Sequence, residues 1–120
     1  MKVNNFNFSK KKRLLTSLDF DFVFKNPNKI YSKYFIILSR KNKIKYSRIG
    51  IIISKKKIYK TCNRNRIKRI IREYFRLNQH LLCILDYIII ISNKKIINLN
   101  NLNFKNYLEN IWKIYKICLE

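Results

Sequence analysis

The segment from Asn63 to Arg76 constrains this chain most, because its pattern fits a helix with one charged face and one apolar face. It holds five of the chain's eight arginines. At 100° per residue, one stripe carries Arg64, Lys68, Arg72 and Arg76, with Asn65 and Arg69 beside it. The opposite side carries Ile67, Ile70, Ile71, Tyr74 and Leu77. One face can therefore pack on a core while the other presents guanidinium groups.

The charged face of this segment suits a polyanion, because planar guanidinium forks bind phosphate bidentately. A plain solvated face is the alternative interpretation of any charge run. Here like charges four residues apart repel one another, and Glu73 is the one acid within the segment that relieves them. A face that costs stability in the free protein indicates a partner that removes the cost, and RNA or DNA fits best.

The composition agrees with a polyanionic partner. The 120 residues suffice for one domain with a modest core. Lys and Arg number 28 against 6 Asp and Glu, a formal charge of +22, which argues against an ordinary small-molecule enzyme. Ile, Lys and Asn are frequent throughout, while Gly and Pro occur once each. This bias is typical of drift toward A+T-rich codons, so the sequence leaves open whether the lysine excess is functional.

The cysteines and the single histidine do not form a metal or disulfide pattern. The cysteines are Cys62, Cys83 and Cys118. They are odd in number and widely spaced, and His80 has no ligand partner at metal spacing. We therefore predict that the three cysteines are small buried hydrophobic residues in a reducing cytoplasm. We also predict that the protein binds no metal of its own.

No membrane or export segment is evident in the sequence. The first nine residues are polar and lack the apolar region of a signal peptide. The longest apolar run, Ile84 to Ile91, contains Asp86 and is too short to span a bilayer. We expect a cytoplasmic protein without a membrane partner.

The N-terminal third of the chain predicts a basic arm followed by a short helix. Residues 1–13 form the arm, in which Lys11, Lys12 and Arg13 can make nonspecific phosphate contacts. Thr16 is the predicted N-cap, with an acidic residue three positions later. The helix should end before Pro27. The apolar residues that should share one face of this helix are Phe20, Val23 and Phe24, at i, i+3 and i+4.

The rest of the chain predicts three strands and two helices in a single α+β domain. Strands are expected over 34–39, 48–54 and 86–92, the last buried and central because it is almost wholly apolar. Gly50 inside the second strand indicates a bulge or a close approach by another backbone or a ligand. The basic helix should run from about Cys62 to Asn78, with Cys62 or Asn63 near its N-cap. A polar connector over 98–103 and an amphipathic helix over 104–118 should follow.

Several motifs in this order resemble the protein subunit of bacterial ribonuclease P, across roughly residues 10 to 117. They are Arg13-Leu14, Asp19-Phe20, Val23-Phe24-Lys25, Arg48-Ile49-Gly50, Ser54-Lys55-Lys56, Arg64-Asn65-Arg66-Ile67-Lys68-Arg69-Ile70-Ile71-Arg72-Glu73 and Asp86-Tyr87-Ile88-Ile89-Ile90. The sixth is similar to the RNR signature of that family and is the most specific.

The resemblance implies a particular α+β fold. Three helices pack on one side of a small mixed sheet of the four-stranded type, as in the second domain of ribosomal protein S5. The helix between the two parallel strands makes a left-handed crossover, against the general right-handed rule.

The resemblance also implies a division of labour with an RNA. The RNA subunit cuts precursor tRNA to leave the mature 5′ end, and Mg²⁺ bound mainly by that RNA activates the hydrolysis. The protein binds the single-stranded 5′ leader and stabilises the active RNA. It is expected to supply no catalytic residue and to need no obligate protein partner.

The residues implied for the leader cleft are Phe20, Phe24, Arg48, Ser54, Lys55 and Lys56. An aromatic ring stacks on any base, so it can hold a leader of variable sequence. Both Phe side chains could instead be plain core residues, and Arg48 could be an edge charge. Leu38 stands where the family often has an aromatic, which puts a third stacking position in doubt.

The residues implied for binding the catalytic RNA, and the precursor near its cleavage site, are Arg64, Asn65, Arg66, Lys68, Arg69 and Arg72. Two alternatives remain open at this point. Asn65 could be a capping residue. Arg66, at the margin of the stripe, could bridge toward the sheet.

Other classes of protein fit the sequence less well. A ribosomal protein that binds ribosomal RNA would share the charge and the related fold, but the ordered motifs disfavour it. A DNA-binding regulator would need a helix and a tight turn directly before the basic helix, where strands are predicted instead. An amphipathic helix on an anionic membrane is weaker still, because the core requires its apolar side.

Overall fold

A mixed four-stranded sheet organises the part of the chain described by this computed structural model, namely residues 13–14, 16–44 and 46–115. The strands are β1 (Asn28–Tyr31), β2 (Phe35–Arg40), β3 (Arg48–Ile52) and β4 (Asp86–Ile91). The α-helices are α1 (Ser17–Lys25), α2 (Thr61–Asn78) and α3 (Asn101–Trp112). Short 3₁₀ turns cover Gln79–Leu81, Lys94–Asn98 and Lys113–Tyr115. The α+β class predicted from the sequence is confirmed.

The sheet order is β1-β2-β4-β3, which places the apolar strand β4 inside the sheet as predicted. It pairs antiparallel with β2 and parallel with β3, while β1 pairs antiparallel with β2. Parallel neighbours need a crossover, and α2 lies within the connection from β3 to β4. The left-handed sense of that crossover stays a prediction.

Helices cover both faces of the sheet, so the expectation that all of them pack on one side is wrong. Alternate strand residues point to opposite faces. Tyr87 and Ile89 of β4 pack in a core with α2 and α3, whereas Ile88 packs with Val23 of α1. The physical reason lies in β4 itself, since a strand that is apolar on both faces needs cover on both.

The start of α1 was predicted correctly and that of α2 to within one residue, but the N-cap of α2 was predicted wrongly. Thr16 Oγ1 accepts from the Asp19 amide at 3.2 Å, and the Asp19 carboxylate accepts from the Thr16 amide at 3.3 Å. This is a complete capping box. Helix α2 begins at Thr61 with Lys60 as N-cap and no side-chain cap, so neither Cys62 nor Asn63 caps it.

Strand β1 was not predicted from the sequence, and α3 begins earlier than predicted. Strand β1 is a four-residue edge strand whose sequence, NKIY, is too short and too polar to show alternation. Within the predicted 98–103 connector, Asn100 caps α3 by accepting from the Asn103 amide at 2.7 Å. Helix α3 therefore starts at Asn101, three residues before the predicted Phe104.

The prediction that the cysteines are buried is wrong for Cys62. Cys62 is exposed, because it lies in the first turn of α2 on the side away from the core. Cys83 is half-buried. Cys118 lies outside the described residues, so its predicted burial remains a prediction.

Gly50 marks a close approach, as predicted, but the approaching group is a side chain of this chain. The ring of Phe20 lies over the Gly50 position of β3. A Cβ at that position would come within 2.6 Å of Phe20 Cε1 and 3.2 Å of Leu14 Cβ. Glycine is therefore required here for lack of a side chain, since its φ is not in the left-handed region.

Replacing Gly50 by Ala should lower the free energy of unfolding by about 1–3 kcal/mol, because the added methyl group displaces the Phe20 ring. Urea denaturation of the single variant measures this loss. Repeating it in a Phe20→Ala background tests the cause, because the cost of Gly50→Ala should then shrink. An equal cost in both backgrounds would rule out the ring contact as the constraint.

Candidate nucleic-acid interface

The outward side of α2 and Arg13 enclose a concave basic surface, here called the basic groove. Its residues are Arg13, Asn65, Lys68, Arg69, Arg72, Glu73 and Arg76. Helix α2 presents all of these residues except Arg13, because Ile67, Ile70 and Ile71 anchor the other side of the helix in the core. Four of the six residues predicted for RNA binding share this groove: Asn65, Lys68, Arg69 and Arg72.

The charges in the basic groove are poorly compensated. The pKa of Arg72 is lowered by burial and, secondarily, by the positive charge of Arg13. The one acidic side chain of the groove, Glu73, pairs with Arg76 at 2.5 Å, and this hydrogen bond lowers the pKa of Glu73. An anion placed between Arg13 and Arg72 would relieve their repulsion.

The guanidinium groups of Arg64 and Arg66 are bound to the protein itself. Arg64 Nη1 donates to the carbonyls of Ile58 and Tyr59, each at 2.8 Å, and its Nη2 donates to Thr61 Oγ1 at 2.9 Å. These bonds fix the segment that leads into α2.

Arg66 connects α2 to the start of α3, not to the sheet. Its Nε donates to Asn101 Oδ1 at 3.1 Å and its Nη2 to the Leu99 carbonyl. Asn65 is exposed in the second turn of α2, so the capping role considered for it is wrong. A helical wheel gives the direction of these side chains at Cβ but not the backbone carbonyls that long guanidinium side chains reach.

The sheet face on the α1 side carries a second surface, here called the open row. Strand register aligns Tyr31, Ile36, Ile90 and Ile52 across the four strands. The three Ile side chains are half-buried, and Tyr31 is 69% exposed. Tyr31 was not predicted as part of a site because the strand that carries it, β1, was not predicted from the sequence.

The aromatic residues predicted for the leader cleft lie beside the open row. Phe20 sits over Gly50, the neighbour of Ile52 on the same face of β3. Its ring centroid is 6.4 Å from that of Phe24, with 30° between the ring planes. Phe24 is 43% exposed, whereas Phe20 is half-buried. The structure thus brings both rings to one edge of an apolar floor.

Arg48, predicted as a leader contact or an edge charge, clamps α1 to the sheet. Its Nη2 and Nε lie 2.7 and 3.0 Å from the two carboxylate oxygens of Asp86, and its Nη1 lies 3.4 Å from Asp19. Asp86 is fully buried and also accepts from Asn42 at 2.8 Å. The hydrogen bond to Asp86 raises the pKa of Arg48.

The segment after β3 carries the predicted lysine contacts on a tight turn. The Ser54 hydroxyl accepts from the Lys56 amide at 3.1 Å, and the Ser54 carbonyl accepts from the amides of Lys57 and Ile58. The side chains of Lys55 and Lys56 are exposed. The turn lies between the β3 end of the open row and the start of α2.

The end of the predicted basic arm is part of the fold. Arg13 forms a parallel bridge to Ile49, and the Leu14 amide donates to the Ile49 carbonyl at 3.0 Å. The edge strand β3 offers unpaired backbone groups for this contact. Arg13 therefore lines the basic groove while Leu14 packs under α1. Lys11 and Lys12 lie outside the described residues.

Replacing Arg48 by Ala should lower the free energy of unfolding by about 3 kcal/mol, because it leaves the buried Asp86 carboxylate without its cation. Thermal or urea unfolding measures the loss. The matched control is Arg40→Ala, which removes from β2 a guanidinium that stacks on the Phe22 ring at 4.0 Å and donates to the Phe22 carbonyl, so it loses a contact to α1 without leaving a buried carboxylate unpaired. A loss no larger than that of the control would show that Asp86 does not depend on Arg48.

The described residues hold no helix that is long and apolar enough to cross a membrane. What they present is an α+β domain with a basic helix, a basic groove and an aromatic-edged sheet face. These features are typical of the class of small proteins that bind RNA, a polyanion whose bases offer flat apolar faces.

Comparison with known proteins identifies the family. A family model described as Ribonuclease P matches residues 8–116. The ribonuclease P protein component of Buchnera aphidicola subsp. Baizongia pistaciae is 42% identical over 113 residues, covering 92% of this chain and 96% of that protein.

Solved structures agree. A Staphylococcus aureus RNase P protein mutant with defective mRNA degradation activity aligns with a TM-score of 0.81 at 31% identity, covering 88% of each chain. The Thermotoga maritima RNase P protein aligns at 0.76 and 31%, covering 88% of this chain and 98% of that one. The chain belongs to the ribonuclease P protein family, the protein subunit of the tRNA-processing ribonucleoprotein, and its partner is the ribonuclease P RNA. This confirms the family predicted from the motifs.

Proposed function

We propose that this subunit binds the single-stranded 5′ leader of precursor tRNA along the open row and holds the catalytic RNA in the basic groove. The observation that carries the proposal is the position of β3. Arg13 and Leu14 run along its outer edge, one facing the groove and the other the α1 side. The two surfaces therefore adjoin, and one bound RNA assembly can contact both.

Leader binding at the open row follows from its chemistry. Phe24 and Tyr31 offer exposed rings at the margins of an apolar floor, and ring–base stacking tolerates any sequence. Lys55 and Lys56 at the β3 end can contact leader phosphates. Arg48 acts in this proposal as a positioning residue, because its clamp holds α1, and with it Phe24, against the sheet.

The described residues do not gather their acidic side chains into a site for a catalytic metal ion. Among the described residues, no group of three or more His, Cys, Asp or Glu side chains lies together. Asp19 and Asp86 are held by Arg48, and Glu73 is held by Arg76. In our proposal the Mg²⁺ ions belong to the RNA subunit, which performs the hydrolysis, and the assembly works in the cytoplasm.

Cleavage of a precursor tRNA by the cognate RNA at low Mg²⁺ tests the proposal as a whole. We expect cleavage at the mature 5′ end only when the protein is added, because the protein supplies phosphate contacts that high Mg²⁺ would otherwise replace. RNA that is active alone at high Mg²⁺ but unaffected by the protein at low Mg²⁺ would contradict the proposal. Co-sedimentation with ribosomes would then favour a ribosomal role.

Replacing Lys68 by Ala should weaken assembly with the catalytic RNA and reduce the log–log salt slope by roughly 0.7 to 0.9, the value of one phosphate contact. Filter binding at several salt concentrations measures both quantities. Lys113→Ala is the matched control, because Lys113 is an exposed lysine after α3 and outside the groove. Equal slopes for both variants would mean that Lys68 is only solvated.

Replacing Phe24 by Ala should weaken holoenzyme binding of a long-leader precursor by about 5- to 150-fold, the effect of one lost ring–base stack. A precursor with a one-nucleotide leader should be bound as by the wild type. Leu102→Ala controls for the loss of an exposed apolar side chain, since Leu102 is 67% exposed on α3. Equal losses for long and short leaders would place Phe24 outside the leader path.

A further inference from the structure

Tyr59 is an exposed aromatic residue that no predicted motif includes. It lies in the segment between β3 and α2, and its side chain is 85% exposed. It belongs to neither core cluster, although its neighbour Ile58 is buried in one of them. Burial therefore does not explain an aromatic residue at this position.

The backbone that carries Tyr59 is fixed on both sides. The Ile58 amide donates to the Ser54 carbonyl at 3.0 Å, and the Ile58 side chain is anchored in the core. Arg64 Nη1 donates to both the Ile58 and the Tyr59 carbonyls. Helix α2 then begins at Thr61. A ring on a fixed backbone loses little conformational entropy when it meets a flat ligand, and such preorganisation favours binding.

The surroundings of Tyr59 are uniformly basic. Lys55, Lys56, Lys57 and Lys60 flank it and are exposed. The sequence contains no acidic residue between Asp21 and Glu73. The segment also lies where the β3 end of the open row meets the start of α2, hence between the two surfaces assigned to RNA. A flat apolar ring among cations fits an unpaired nucleotide, whose base stacks while its phosphates meet the lysines.

We propose, on the basis of the function above, that Tyr59 stacks on one unpaired base of RNA bound across the β3–α2 segment, with flanking phosphates contacted by Lys60 and its neighbours. The base can come from the precursor leader or from a single-stranded part of the catalytic RNA. Stacking is the shared chemistry, and the two sources are separated by experiment.

Two binding measurements test the proposal on the full chain. One is the affinity of the protein for the cognate ribonuclease P RNA. The other is the affinity of the assembled holoenzyme for precursors with a long or a one-nucleotide leader. Tyr59→Ala should weaken one of these about 5- to 150-fold, with an unchanged salt slope, because stacking involves no counterion release. Tyr59→Phe should bind like the wild type.

Matched variants separate stacking from charge and from folding. Lys60→Ala should reduce the salt slope by roughly 0.7 to 0.9, which Tyr59→Ala should not. Leu102→Ala removes an exposed apolar side chain on α3 and should change neither measurement. Circular dichroism melts should be the same for wild type and Tyr59→Ala, because the ring lies outside the core.

The outcomes separate this proposal from the function on which it rests. If only binding of the long-leader precursor weakens, the base belongs to the leader; if binding of the catalytic RNA weakens, it belongs to that RNA. Wild-type affinity of Tyr59→Ala in both measurements overturns the stacking role alone. Equal losses for Tyr59→Phe and Tyr59→Ala would overturn it too, since the hydroxyl would then be the contact. Wild-type protein that binds neither RNA overturns the proposed function itself.

An anionic membrane is the competing class of ligand for an aromatic ring among lysines. Vesicles of phosphatidylglycerol and phosphatidylcholine provide the comparison. If Tyr59→Ala weakens binding to these vesicles while RNA binding stays at the wild-type level, the ring serves a membrane and the RNA proposal fails.

Discussion

The ion pair between Arg48 and Asp86 determines how the two surfaces of this protein stand relative to one another. Asp86 opens the central strand β4 and is fully buried, so its carboxylate requires a cation and hydrogen-bond donors. Arg48 of the neighbouring edge strand supplies both, and its remaining nitrogen reaches Asp19 in the first turn of α1. One guanidinium thus joins β3, β4 and α1. The open row has an aromatic margin because α1 is held there, and the basic groove adjoins the open row across the same edge strand.

The elements that sequence reasoning predicted well are those with a strong local signal. Helix α2 has an unbroken 3.6-residue period, and α1 has a capping box whose two hydrogen bonds are both present. Strand β4 is apolar on both faces, which predicted its central position but equally required helices on both faces. Strand β1 was lost because its four mostly polar residues show no alternation of their own, and pairing with the consecutive strand β2 is what makes them a strand.

Several residues predicted to bind RNA share one surface, and the predictions that the structure corrects have one physical origin. Helical geometry correctly placed Lys68, Arg69 and Arg72 on a shared face, since direction at Cβ follows from spacing. It could not show that Arg64 and Arg66 turn back to backbone carbonyls, because those carbonyls belong to segments that reach α2 only through the tertiary fold. Phe20 is similar: its spacing on α1 was evident, but its seat over Gly50 depends on how α1 crosses β3.

The partners of the arginines change the interpretation of the chain's charge. Several arginines stabilise the fold, because their guanidinium groups donate to a carbonyl, carboxylate or amide oxygen of the protein. They include Arg40, Arg48, Arg64, Arg66 and Arg76. A planar fork with five donors suits such multiple acceptors, whereas a lysine ammonium is a compact charge on a flexible stem. Many lysines of the described chain are exposed. Whatever the origin of the lysine excess, these exposed cations add to the field that attracts a polyanion. The clustered arginines, which the sequence marked as the ligand contacts, therefore serve largely to fix the surfaces on which lysines, with Arg69 and Arg72, can meet RNA.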